Sequence, residues 1–173
     1  LLDVLGVKYV ITSETITLPK YTEVWQGEGV RIYENAAVAP RAFTQDSTVI
    51  VKDPLDAMAK LDPRQYVIIE ETDWSSDRVI PFDLGPTQFT PATIEAYSNR
   101  EVIVSARTSK FTWLVLNDSY FPGWKAYESL FVPPEAPEEV KNAVAATETE
   151  TKIYRVNGNF RGVTLAHWGA NHK

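Results

Sequence analysis

Residues 111–127, FTWLVLNDSYFPGWKAY, constrain the fold more than any other stretch of the chain. The run 111–116 is apolar on both faces, the pattern of a strand buried in the middle of a sheet or sandwich. It leads into a polar, aromatic segment, and Pro122-Gly123 then reverses the chain. Proline presets φ near about −65° and glycine accepts positive φ, so this dipeptide predicts a turn. Trp124 and Tyr127 lie on the segment beyond it. Trp124 is expected to point back across the sheet into the core, where tryptophan buries a large area and keeps one polar handle.

Around this centre the remaining elements are short and divided by turn signals. Residues 1–5 look like the end of a helix, which Gly6 would close in the left-handed conformation, and 7–11 read as a strand. Residues 22–26 and 30–33 form a candidate hairpin across Gly27-Glu28-Gly29, and 47–52 are a strongly β-branched strand. Asp53-Pro54 is a helix start with a capping side chain and proline at the first helical position. Leu55, Met58 and Ala59 are its expected inward stripe, and Asp62-Pro63 its end. A strand at 66–70 follows. Residues 72–91, with three prolines and little apolar periodicity, read as a loop or linker. Beyond it, Ile94 and Ala96 alternate against Val102, Val104 and Ala106 across a turn at 98–100. Residues 152–156 and 159–165 make a last hairpin about the Asn157-Gly158 signal.

These elements predict an α+β, mainly β chain: an antiparallel β-sandwich at 86–173 with a smaller mixed α+β lobe at 1–85, the two forming one unit. Residues 128–151 differ in composition, with six acids against one base, a net of −5 that leaves −1 for the rest of the chain. They are expected to form an insertion into a hairpin, outside the sandwich. A short helix at 137–146 is expected within it, with Val140, Ala143 and Val144 on one side. Its flanks, Pro133-Pro134 and 147–151, read as tethers.

The absence of cysteine removes disulfides and thiolate metal sites, and the net charge of −6 argues against nucleic acid, which needs a basic face. No run reaches the roughly 18–20 apolar residues of a membrane-spanning helix. Starting at Leu1 with no signal-like stretch, the chain is expected to be a piece of a longer protein.

Four segments carry a family resemblance: LLDVLGVKYVI at 1–11, IYEN at 32–35 with PRAF at 40–43, LNDSYFPGWKA at 116–126, and YRVNGNFRGV at 154–163. In order and spacing they resemble the C-terminal soluble region of YfhO-like bacterial membrane proteins, polytopic proteins related to the GT-C glycosyltransferases. The acidic insertion departs from that family's short crossing at the same place. The resemblance implies transmembrane helices before Leu1 and a position at the cell membrane, with this region soluble on the extracytoplasmic side. It also implies glycan or lipid-linked-sugar chemistry in the parent protein. The loop that bears the GT-C catalytic acid is absent here, so the resemblance carries no catalytic residue onto these positions.

No metal, cofactor or catalytic set is readable from the residues. His167 and His172 are two ordinary polar residues near the end of the chain. No Gly-x-Ser-x-Gly context and no phosphate loop occur. A glycosidase needs two carboxylates about 5–10 Å apart. Asp118 is the best single candidate, with Glu70, Glu71 and Asp73 as alternatives, although Asp118 equally suits a turn in which it accepts backbone N–H bonds. The candidate ligand-binding set is Asp118, Tyr120, Trp124, Arg155 and Arg161. The aromatics could stack on sugar faces. The arginines could pair with Asp118 or the insertion acids, or hold an anionic glycan or lipid phosphate.

Three readings follow. The first is a non-catalytic module assisting glycan or lipid-linked-sugar handling or assembly beside its own transmembrane region. The second is a carboxylate-dependent glycan-active domain. The third is a purely structural or protein-interaction domain.

Overall fold

The computed structural model describes residues 2–62, 64–74, 85, 87–130, 132, 135–145 and 148–165. Strands hold far more of the chain than helix, so the mainly-β α+β class is what the structure shows. Residues 2–7 form one helical turn rather than a full helix. Val7 N donates to Leu2 O at 3.0 Å and Gly6 N to Asp3 O at 3.2 Å, with Gly6 at φ +73°. That bond pair is the Schellman closure a glycine makes possible.

The strands β1 (Tyr9–Thr12), β2 (Tyr21–Gly27) and β3 (Val30–Asn35) form a small antiparallel sheet in the order β1-β3-β2. The main sheet has seven strands. In spatial order they are β5 (Thr48–Val51), β6 (Val67–Glu70), β13 (Tyr154–Val156), β14 (Phe160–Leu165), β10 (Thr112–Ser119), β4 (Ala42–Gln45) and β7 (Thr90–Pro91). Among the described strands of this sheet, only β5 and β6 run parallel. Parallel neighbours need a crossover, which here contains α1 (Pro54–Lys60). Asp53 caps this helix, accepting from the N–H groups of Leu55 and Asp56.

The sheet takes strands from both sides of residue 85, and all of the run 111–116 but Phe111 lies inside β10, flanked by β14 and β4. Among the described residues the strand pairings give this sheet, the three-stranded sheet and two two-stranded ones. β8 (Thr93–Tyr97) and β9 (Val102–Ser105) make a separate hairpin. The stretch 72–91 is more than a linker: β7 pairs with β4, and Phe89 packs on Phe43 with ring centroids 5.3 Å apart. Its residues 75–84 and 86 lie outside the described residues.

The core sits on both sides of the sheet. One cluster gathers Phe43, Val67, Ile69, Trp113, Val115, Tyr154 and Val156; the other gathers Val4, Ala57, Met58 and Ile68 beneath α1. The stripe expected on α1 is therefore shifted, because Ala57 and Met58 are buried while Leu55 and Ala59 are exposed. Trp113 is the core tryptophan. Its indole N–H donates to Thr48 Oγ1 at 2.8 Å, and its ring meets Tyr154 edge-on at 5.2 Å. Gly162 makes this packing possible, since a Cβ there would stand 2.8 Å from Val156 Cγ1 and 3.4 Å from Trp113 Cε3.

The turn between β13 and β14 has Asn157 at φ +47° and Gly158 at φ +82°, the paired left-handed residues of a tight hairpin. Asn157 also docks β6, accepting from Ile68 N through its side chain and donating its backbone N–H to Ile68 O, both at 2.8 Å. Pro122-Gly123 does turn the chain, with Gly123 at φ +109°, but it does not fold the next strand back on β10. β11 (Ala126–Glu128) pairs instead with β12 (Thr149–Thr151), closing the base of the acidic excursion. Residues 149–151 are thus strand rather than tether, while Pro133, Pro134 and Thr147 lie outside the described residues. The expected helix is α2 (Glu138–Ala145), and none of its described side chains is buried; Val140 and Ala143 are exposed.

Candidate functional site

Register explains how Asp118 comes to be buried. Along β10 and β14, Leu116 faces Arg161 but Ser119 faces Phe160, so Asn117 and Asp118 have no opposite residues. Such bulges bend a strand and re-aim its side chains. Asn117 turns to the N-terminal helical turn, donating to Val4 O at 2.8 Å, while its backbone N–H reaches Arg41 O. Asp118 is 8% exposed. Its Oδ2 accepts from Arg161 Nη2 at 2.6 Å and from the Tyr97 hydroxyl at 2.8 Å. Its Oδ1 accepts from Arg41 Nη2, which also donates to the Tyr97 oxygen at 2.7 Å.

This junction draws on four separate parts of the fold. Arg41 immediately precedes β4, Tyr97 ends β8, Asp118 lies in the bulge of β10 and Arg161 is on β14. Trp124, beyond the Pro-Gly turn, lays its ring 4.4 Å from the Arg161 guanidinium carbon. The Arg41 guanidinium carbon lies 5.0 Å from the Tyr97 ring centre. The hydrogen bond to Tyr97, with the nearby Asp118 charge, raises the Arg41 pKa against the opposing effect of burial. Arg161 Nε is buried with no partner among the described residues.

Three of the five candidate residues, Asp118, Trp124 and Arg161, are therefore brought together. Trp124 is only partly buried and caps an arginine instead of filling the core. Asp118 is held by side chains from distant strands rather than by backbone N–H groups of its own turn. Sequence reasoning missed Arg41 and Tyr97, which stand 77 and 21 positions from Asp118. The one available signal was physical: a carboxylate leaving a buried strand needs cations, and an arginine beside an extended segment can supply one.

The remaining two candidates lie elsewhere. Arg155 is directly opposite Arg161 across β13 and β14, so both side chains leave the same face. It turns to Glu70 at 2.7 Å and Asp73 at 3.0 Å, and its pKa is raised chiefly by the hydrogen bond to Asp73. The acids paired with the two arginines, Glu70, Asp73 and Asp118, lie outside the excursion, whose Glu150 is 3.3 Å from Lys125. Tyr120 is partly buried, and its backbone N–H donates to Asn159 O at 2.7 Å.

His167 and His172 lie outside the described residues, among which no group of three or more potential metal ligands occurs. No described helix is long and apolar enough to cross a membrane. No protein-family model, curated protein or solved structure matches the chain.

Proposed function

We propose that this chain is a non-catalytic extracytoplasmic module of a GT-C-like, YfhO-like membrane protein, where it assists the handling of a glycan or lipid-linked sugar beside its own transmembrane region. The observation that supports the non-catalytic part is the state of Asp118. A general acid or nucleophile must meet its substrate with a free lone pair or an available proton. Asp118 is buried, and both of its oxygens already accept from arginine or tyrosine side chains. The sugar-handling part draws on the rings at this junction, since Tyr97 is 52% exposed and Trp124 is partly so. Exposed aromatic faces beside fixed polar groups suit the apolar face of a sugar and its hydroxyls.

The test takes the purified chain through a panel of neutral and anionic oligosaccharides, scored for binding and for turnover. Binding without turnover is the expected result. Turnover that Asp118→Asn abolishes would overturn the reading.

One observation favours the carboxylate-dependent alternative, namely that Glu70 and Asp73 grip a single guanidinium and so lie near one another. Turnover that survives Asp118→Asn and is lost in Glu70→Gln would move the chemistry there.

A further inference from the structure

The Asp118 junction holds more positive charge than its carboxylate neutralises. Among the described residues, Arg41 and Arg161 bring two cations to one anion, in a chain whose net charge is −6. Donors also outnumber acceptors. Arg41 makes its bonds through Nη2 alone, leaving Nε and Nη1 without partners among the described residues, and its side chain is 57% exposed. Arg161 Nε is buried and without a partner among the described residues, and the Arg161 side chain is only 10% exposed. A buried donor without an acceptor is costly, so an oxygen-rich partner brought to the cluster is favoured.

Arg41 differs from an ordinary surface arginine in being already ordered. A free guanidinium loses rotamer entropy when it grips an anion. Here Asp118 and the Tyr97 oxygen pin Nη2 from below, and the Tyr97 ring lies against the guanidinium. The ordering cost is met before any ligand arrives, which is how preorganised sites gain affinity.

We infer that Arg41, with Arg161 behind it and Tyr97 beside it, is an anion subsite. Its ligand is a phosphate or carboxylate group carried on a sugar. The oxyanion bonds the free edge of Arg41, and the sugar ring lies on the exposed aromatic surface that includes Tyr97. This assignment rests on the sugar-handling reading and adds the ligand's charge to it.

Glucose, glucose 1-phosphate, glucuronate and inorganic phosphate distinguish the sources of the anion when titrated into the whole chain by calorimetry at low ionic strength. Glucose 1-phosphate and glucuronate should each bind about tenfold or more tighter than glucose, the scale of one charge-assisted hydrogen bond. Added salt should erode that margin. Arg41→Gln should abolish it without lowering the melting temperature, whereas Arg155→Gln should leave it intact. If Arg41→Gln unfolds the chain, Arg41→Lys replaces it, and an undiminished margin in that variant overturns the assignment. Glucose binding equal to that of the anionic sugars overturns the subsite but spares the sugar-handling reading. Inorganic phosphate binding as tightly as glucose 1-phosphate overturns the sugar-borne ligand. No binding of any sugar overturns both.

Discussion

Arg155 and Arg161 face each other across one pair of strands, yet they sit in opposite electrostatic settings. Arg161 is almost wholly buried, shares one carboxylate with Arg41 and is capped by Trp124. Arg155 is 38% exposed and has two carboxylates to itself. Two like charges directly opposite on a sheet repel. The chain relieves this by supplying each arginine with acids from a different direction: β6 and the residues after it serve Arg155, and the β10 bulge serves Arg161. Burial makes the two arrangements energetically unequal. Breaking a buried pair strands an uncompensated charge, whereas water compensates an exposed one.

The comparison would break first at Asp118. Asp118→Asn leaves Arg161 buried without its anion and should cost about 3–5 kcal/mol in urea melts. A loss below about 1 kcal/mol would mean that the cluster is as well solvated as the one around Arg155.

A third ion pair lies between these extremes. Asp3 is buried and accepts from Lys20 Nζ at 2.8 Å and Asn35 Nδ2 at 2.9 Å. Burial is the largest influence on its pKa and raises it, but the hydrogen bonds to Lys20 and Asn35, with the Lys20 and Arg64 charges, outweigh it and leave the pKa below the ordinary aspartate value. A carboxylate with a depressed folded-state pKa contributes stability above its unfolded value and loses it as the pH falls through the folded value. Stability should therefore decline below about pH 4. Asp3→Asn should cost about 2 kcal/mol at neutral pH and flatten that acid limb. An unchanged limb would remove Asp3 from the account.

Trp124→Ala sharpens the comparison from the other side, because it removes the cap on Arg161 without touching the core tryptophan. It should cost about 1–2 kcal/mol, the range of a partly desolvated cation–π contact, and far less than Trp113→Ala at about 3–5 kcal/mol. Equal losses would place Trp124 in the core. Arg155→Gln should cost no more than about 1 kcal/mol, with a coupling to Glu70→Gln of similar size in a double-mutant cycle. The smallest effect belongs to the acidic excursion. Its helix α2 has no buried described side chain, so proteolytic cutting between 129 and 148 should precede any cut in the main sheet and leave the melting temperature unchanged within about 2 °C.

Local chemistry was legible in the sequence. The cap at Asp53, the glycine closure at Gly6, the Asn157-Gly158 turn and the strand at 111–116 each depend on residues a few positions apart, whose own backbone preferences decide the outcome. The acidic excursion was equally visible, since composition alone deprives it of a buried face.

Beyond the hairpins β2–β3, β8–β9 and β13–β14, which the turn signals already imply, only the tertiary structure decided which strands are neighbours. β10 takes its partners from β4 and β14 rather than from the segment after its own turn, because strand pairing is settled by burial across the whole sheet and not by proximity in the chain. The same holds for the site. Asp118 was visible as a carboxylate that Arg155 or Arg161 could pair with, and Arg161 does pair with it. That Arg41 and Tyr97 are its other partners follows from a two-residue register slip and from a hairpin docking beside β4, neither of which leaves a periodic trace in the sequence. Nor could the sequence choose between Trp113 and Trp124 as the core ring. The flanking of β10 by β14 and β4 is what encloses Trp113, while Trp124, between Gly123 and Lys125, lies over Arg161.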